Sequence, residues 1–377
     1  KIPESFEKSI NDGERWRFHL ESAKIANPML SNEVDFQFAS FLLNQWGVES
    51  LGYDWASKFE DKKEKSKYSL ETLSDEETLC KLTIGVERFN FPIGYNYISI
   101  LKSIINSDSQ SYQLQATNLL GSIYENRRQF SKAAEVWRVA SQKSWDKSYY
   151  QKKLNQIEGN WGRFETVAPQ QANEPASFDF RFRNATEVTF TAYKIDMSKL
   201  LYDLINFLKV DHKDYWNYAN INDLGYKLVN EDQKKYVGEE LIKWSEKLTP
   251  LPNHFDDLIQ LKTPFKNAGA YLLKSKMVNG NEANIVIFLN DTIILEKPLD
   301  QSNLMFVADA KSGQPLPNMT IEYFGYSFKW VNSKYVSSTK QFAEKTNDSG
   351  LHINKLYDNQ YNWLIIARDD KGRFAYN

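Results

Sequence analysis

Apolar residues recur at helical spacing up to about position 160 and then change step. In Ser31 to Trp46, Val34, Phe38, Phe41 and Leu42 fall on one helical face. Ser74-Asp-Glu-Glu77 ahead of Leu79, Leu82 and Val86 has the form of a capping box opening another helix. From Trp161 the period is two. Phe178-Asp-Phe-Arg-Phe-Arg183 alternates strictly, Asn184-Ala-Thr186 reads as a turn and Val188 to Ile195 as a returning strand, which predicts an antiparallel hairpin. Ala270 to Met277 and Asn284 to Leu289 flank Asn279-Gly280-Asn281 as a second hairpin, and Asn290-Asp291 breaks the run before Thr292 to Leu295. Between the hairpins, Leu201, Leu204, Ile205 and Leu208 share a helical face. Tyr236 to Leu248 is helical in composition, so a largely helical insertion in a β-domain is expected. Leu304 to Phe324, Thr346 to Leu351 and Trp363 to Ala367 predict a further sandwich, with tight turns at Ser312-Gly-Gln-Pro315 and Asn347-Asp-Ser-Gly350. Asp369-Asp-Lys-Gly372 reads as a hairpin turn before Phe374 to Tyr376.

Within the helical part, Leu120-Gly121 and Tyr124, then Ala133, Trp137 and Ala140, follow the spacing of a tetratricopeptide repeat. Gly121 and Ala133 are small where two antiparallel helices must approach, Tyr124 and Trp137 fill the space between them, and Asn126-Arg-Arg-Gln129 makes the turn. One such unit cannot bury its face alone, so helices at Tyr95 to Ile105 and Ser148 to Ile157 are expected to stack on it. Proline marks the same boundary: Pro3, Pro28 and Pro92 precede residue 160, and the other eight of the 11 lie between Pro169 and Pro317. The predicted fold class is multidomain α plus β. An all-α, tetratricopeptide-like domain spans 1–158, an antiparallel immunoglobulin-like β-sandwich spans 159–300 with a helical insertion at about 197–248, and a second such sandwich spans 301–377.

Composition narrows the function classes. A chain of 377 residues exceeds what one core sustains, in keeping with several domains. With a formal net charge of −2 and no long block of Lys or Arg, it lacks the footprint of a nucleic-acid binder. Lys58 to Lys67 carries mixed charge and reads as a solvated loop or helix face. No apolar run approaches the roughly 18 residues of a spanning helix. Lys1-Ile-Pro-Glu lacks the apolar core of a signal peptide, so export would imply a signal removed before residue 1. The chain's one cysteine, Cys80, excludes an intrachain disulfide and a thiolate metal cluster.

No constellation for catalysis emerges. His19, His212, His254 and His352 are widely spaced, none with a second ligand at metal-binding spacing. His254 precedes Phe255-Asp256-Asp257, yet no nucleophile on a strained turn accompanies it, and a hydrolase would have to rest on His254 and Asp257 alone. Neighbouring carboxylates in Asp256-Asp257 and Asp369-Asp370 point to opposite faces of an extended backbone. Cys80 falls on the helix predicted after Ser74, among Leu79, Leu82 and Ile84, where burial would raise its pKa and make it a packing residue. Asn184, Asn290, Asn318 and Asn347 match the glycosylation pattern but coincide with predicted turns. No catalytic residue, metal ligand or cofactor is expected, and no interaction surface is legible.

Taken in order, four stretches carry a resemblance. They are Arg88-Phe-Asn-Phe-Pro-Ile-Gly-Tyr-Asn96, Phe182-Arg-Asn-Ala-Thr-Glu-Val-Thr-Phe-Thr-Ala-Tyr193, Gly269-Ala-Tyr-Leu-Leu273 and Phe306-Val-Ala-Asp-Ala-Lys-Ser-Gly-Gln-Pro-Leu-Pro317. With them the chain resembles the N-terminal part of bacterial alpha-2-macroglobulin-family proteins. The resemblance implies macroglobulin (fibronectin III-like) sandwiches in an exported, periplasmic or cell-surface peptidase trap. Within that trap this chain would be a non-catalytic scaffold and docking part, with other domains of the same polypeptide, target peptidases or envelope proteins as partners. The family's thioester motif, Cys-Gly-Glu-Gln, is not carried by Cys80, which is followed by Lys81-Leu-Thr83. Phe374-Ala-Tyr-Asn377 falls where a strand would be under way, so a fragment is expected. The alternative, resting on Gly313-Gln-Pro-Leu-Pro317 and Thr346 to Gly350, is a carboxypeptidase-regulatory or transthyretin-like surface module for glycan or nutrient uptake.

Overall fold

The structure, a computed structural model, describes residues 2–46, 69–83, 85–143, 146–211, 233–300, 302–355, 358 and 360–377. The charged run Lys58 to Lys67 and His212 lie outside the described residues. Two compact units are present, Lys1–Gly159 with Leu251–Phe255, and Asn160–Pro250 with Asp256–Asn377.

Six helices dominate the first unit: α1 Asp12–Ala26, α2 Ser31–Trp46, α3 Tyr97–Ile105, α4 Gln113–Asn126, α5 Phe130–Lys143 and α6 Lys147–Glu158. Side chains cap several of them. Asn11 accepts from Glu14 N at 2.9 Å while Glu14 accepts from Ile10 N at 3.0 Å, and Asn96 accepts from Ser99 N at 3.1 Å. Ile98, Leu101, Leu120, Tyr124, Trp137 and Tyr150 belong to one buried core that the helices share. Helices α4 and α5 meet where Gly121 faces Trp137, as their small and large residues predict.

This unit is not all-α. The helix predicted after Ser74 is instead a hairpin of β1 Glu77–Leu82 and β2 Gly85–Asn90. The capping-box contacts do form, since Ser74 N donates to Glu77 Oε2 at 2.8 Å and Glu76 N to Ser74 Oγ at 3.3 Å. They close a turn that leads into a strand. Gly85, at φ +129°, ends any helical path, and Leu79 and Val86 then pack inward with Leu70 and Leu73.

In the second unit β3 Trp161–Phe164, β5 Ser177–Arg183 and β8 Asp257–Lys262 form one sheet. The facing sheet runs β4-β10-β9-β6-β7, with β4 Gln170–Gln171, β6 Glu187–Ile195, β7 Val237–Lys247, β9 Gly269–Met277 and β10 Glu282–Asn290. The hairpin predicted for β9 and β10 is present, with Glu282 opposite Lys276 and Leu289 opposite Gly269. The one predicted for β5 and β6 is not. Both strands form, but each enters a different sheet, so the Asn184 turn is an arch across the core. Phe178 and Phe180 thereby meet Phe190 edge-on at 5.4 and 5.3 Å, a contact between layers that side-by-side pairing would forfeit.

Tyr236 to Leu248 is also corrected, from helix to strand. β7 pairs with β6, and Ile242 and Trp244 turn inward at period two, the Trp244 ring lying 5.3 Å from Phe190. The helical insertion reduces among described residues to α7 Met197–Leu208 and a four-residue turn, Gln233–Tyr236.

A second pair of sheets follows. One is β11 Thr292–Leu299, β12 Ser302–Asp309 and β15 Leu351–Asn354 in the order β11-β12-β15. The other is β14-β13-β16-β17, with β13 Thr320–Val331, β14 Lys334–Lys345, β16 Asn362–Arg368 and β17 Phe374–Tyr376. Although β11 precedes residue 301, it pairs with β12 along its whole length. Met305, Val307, Ile321, Tyr323 and Ile365 fill the space between these sheets. Helix α7 lies on the outer face of β13 and β16, where Leu201, Leu204 and Leu208 pack with Phe324, Tyr326, Leu364 and Ile366. Its Leu200 packs with Ile195, Ala270 and Leu272 of the first sandwich. One helix therefore covers apolar faces of both sandwiches.

Candidate interaction surface

Residues directly opposite in an antiparallel sheet share a face. Across β11, β12 and β15 the inward row Ile294–Val307 belongs to the core, so the rows beside it point outward. They are mostly aliphatic and aromatic: Leu295, Phe306 and Leu351 form one row, and Leu304 and Ile353 the next, with the charged Lys297 at its β11 end. Leu295 is 54% exposed and Ile353 51%, while Leu304, Phe306 and Leu351 are half-buried. Among the described residues no apolar cluster includes any of these five side chains. The equivalent outer face of β13 and β16 is covered by α7. A contiguous apolar sheet face of this kind suits contact with another apolar surface. Its signal was present in the sequence. Ile293-Ile-Leu295 and Leu304-Met-Phe-Val307 are unbroken apolar runs, the mark of a strand apolar on both faces.

The first unit holds a groove of about 250 Å³ beside α1 and α2, lined by Trp16, Arg17, Phe38, Phe41 and Tyr95 among others. Its polar and aromatic lining residues pair with one another. The Arg17 guanidinium lies 5.1 Å from the Phe38 ring centroid and 4.7 Å from that of Tyr95, and it donates to the Tyr95 hydroxyl. Tyr124 and Trp137, the aromatics of the repeat-like hairpin, belong to the buried core.

Charged groups in this unit serve its architecture. Asp75 accepts from Lys102 Nζ at 2.5 Å, Lys132 Nζ at 2.8 Å and the Tyr124 hydroxyl at 3.0 Å. Desolvation pushes the Asp75 carboxyl up, but the two ammonium groups outweigh it and hold its pKa at about 2. Arg127, fully buried, donates to the Tyr97 hydroxyl at 2.9 Å and to Ser74 O at 3.2 Å. These bonds tie the loop before β1 to α3, α4 and α5.

The residues weighed for chemistry do not converge. His254 falls in the first unit, Asp256 and Asp257 in the second. Asp256 accepts from Arg183 Nε at 2.7 Å, and Asp257 accepts from Leu258 N at 2.8 Å. Asp369 folds the β16–β17 turn by accepting from Lys371 N and Arg373 N, both at 2.9 Å. His19 stacks near Phe6 at 5.2 Å, and His352 faces the second sandwich's interior, 5.9 Å from the Tyr323 ring. Cys80 lies on β1, not on a helix, and is half-buried, which raises its pKa by desolvation. Asn184 and Asn318 occupy turn positions at φ 63° and 60°, and the Asn347 side chain accepts from Ser349 N and Leu351 N, both at 3.0 Å. Asn290 ends β10. Among the described residues no group of three His, Cys, Asp or Glu could hold a metal ion, and no helix is long and apolar enough to cross a membrane.

No family model matches the chain, and no curated protein does. Solved structures do. Structural neighbours of this chain are bacterial alpha-2-macroglobulin fragments. It is similar over 58% of its length to native alpha-2-macroglobulin from Escherichia coli spanning domains NIE-MG1, at 14% identity and a TM-score of 0.37, covering 97% of that chain. Over 58% it is also similar to the same protein spanning MG0-NIE-MG1, at 15% identity and a TM-score of 0.37, covering 63% of that chain. Red sea bream transglutaminase is similar over 62% of this chain and 34% of its own, at 9% identity and a TM-score of 0.26.

Proposed function

We propose that this chain is a non-catalytic scaffold and docking part of an alpha-2-macroglobulin-like peptidase trap in a bacterial cell envelope. In this reading residues 1–158 are a tetratricopeptide-like platform, and the two immunoglobulin-like macroglobulin domains divide just before β11 instead of at residue 301, all exported with the rest of a longer polypeptide. The observation that carries the docking role is the bare apolar face of β11, β12 and β15, whose exposed Leu295 and Ile353 flank a half-buried aliphatic and aromatic floor. The order of the four sequence stretches supports the macroglobulin context. The occupant of the face is an apolar surface of another domain of the same polypeptide. The carboxypeptidase-regulatory alternative finds no support in the comparisons.

The test is the product of the complete reading frame, mixed with peptidases of several specificities. Trapping is expected to slow cleavage of a large protein substrate while sparing a small peptide substrate. Leu295→Glu with Ile353→Glu is expected to weaken that protection while the fold persists. Unchanged cleavage of both substrates by every peptidase would falsify the reading.

A further inference from the structure

The groove beside α1 and α2 carries an uncompensated charge. Arg17 is half-buried there, its guanidinium resting against the Phe38 and Tyr95 rings, and one of its five N–H donors goes to the Tyr95 hydroxyl. No carboxylate pairs with it among the described residues. The carboxylates of α1 and α2 are engaged elsewhere: Asp12 with Arg15 at 2.7 Å, Glu21 and Asp35 with Lys24, and Glu33 with the Tyr112 hydroxyl. Glu14, the acidic group on the lining, accepts from Ile10 N at 3.0 Å as part of the α1 cap. Beside the guanidinium runs an aromatic wall, the Trp16 ring lying 4.7 Å from Phe41 and 6.0 Å from Phe38. Gly13 lines the same groove in the first turn of α1, where backbone N–H groups lack intrahelical acceptors and the helix dipole is positive.

We propose that this groove binds the C-terminal residue of a peptide, its carboxylate taken by Arg17 and its large apolar side chain laid against Trp16, Phe38 and Phe41. The lining selects this chemistry. A guanidinium stacked on aromatic rings is weakly hydrated and keeps its forked donor edge, which a carboxylate meets with two oxygens at once. A free phosphate would use the fork and leave the wall unused, and a hydrocarbon would use the wall and leave the charge unmet. A volume of about 250 Å³ holds one side chain with its carboxylate and no longer run of residues. Phe41, 42% exposed, marks where the groove opens and the rest of the peptide leaves for solvent.

Calorimetric titration of the full chain with an acetylated tripeptide ending in phenylalanine, as the free acid and as the C-terminal amide, tests the assignment. The acid is expected to bind at least about tenfold more tightly than the amide, and Arg17→Gln to remove that difference. Exchanging the terminal phenylalanine for glycine is expected to weaken the acid at least about tenfold. Equal binding of acid and amide, no saturable binding of the acid, or a preference for the acid that survives Arg17→Gln overturns the proposal. So does inorganic phosphate that competes as well as the acid. The fold of Arg17→Gln is checked by circular dichroism. Should it not fold, Phe41→Ala, at an exposed ring, is expected to weaken acid and amide alike, and unchanged binding overturns the site.

Discussion

A Cβ placed on Gly121 would lie 2.7 Å from Cζ3 of Trp137 and closer still to two other atoms of the indole. The ring has nowhere to go. Trp137 is 1% exposed, and its Nε1 donates to Glu125 Oε1 at 2.8 Å. Gly121→Ala is therefore expected to destabilise the first unit by about 1–3 kcal/mol through overpacking, despite alanine's better helix propensity. Urea denaturation followed by tryptophan fluorescence checks this, and a gain in stability would show that α4 and α5 can separate freely.

Asp75 gives a pH signature. Its folded pKa of about 2 lies below the ordinary 3.8, so its contribution to stability is fully present above about pH 4 and is lost as pH falls toward 2. Asp75→Asn is expected to lower stability at pH 7 by about 1–3 kcal/mol. Lys102 and Lys132 are 46% and 41% exposed and can turn to water, which favours the low end of that range. Denaturation midpoints of wild type and variant, measured from pH 7 to pH 2, are expected to converge at the acid end. A constant gap would mean that the carboxylate charge is not what matters.

Leu204→Ala on α7 removes a residue that is 2% exposed, so a loss of about 2–5 kcal/mol is expected. Because α7 packs on both sandwiches, calorimetry should show both melting earlier together. A shift confined to one sandwich would mean that the helix belongs to that one alone.

Leu295→Glu and Ile353→Glu place charge on exposed positions, so each should change stability by less than about 0.5 kcal/mol. Their effect is expected in self-association, read by light scattering as increased solubility. A large stability loss from either would show that the face is already covered.

Cys80 should alkylate more slowly than a free thiol at pH 8, because burial raises its pKa. A rate equal to that of a small-molecule thiol would place it in open solvent.

The helices α2, α4 and α5 and the β9–β10 hairpin were legible because their period or turn chemistry has one local solution. The Ser74 segment was not. A capping box only states that backbone donors are met, and it does so equally well at the mouth of a strand. Tyr236 to Leu248 contains Glu, Lys and Leu at helix-friendly density, and only its pairing with β6 makes it a strand. The arch between β5 and β6 was hidden for another reason. Strict alternation specifies which face is buried, but not whether the next strand lies beside it or across the core. The exposed face of β11, β12 and β15 is written in the unbroken apolar runs Ile293-Ile-Leu295 and Leu304 to Val307, which place apolar side chains on both faces of a strand where alternation places them on one.

Helix α7 has a mechanical consequence. A string of sandwiches joined by bare peptide would bend at every link, but bending between these two would draw Leu200, Leu201, Leu204 and Leu208 out into water. Separating the two sandwiches therefore carries the cost of exposing this leucine face, which ties the stability of one to that of the other.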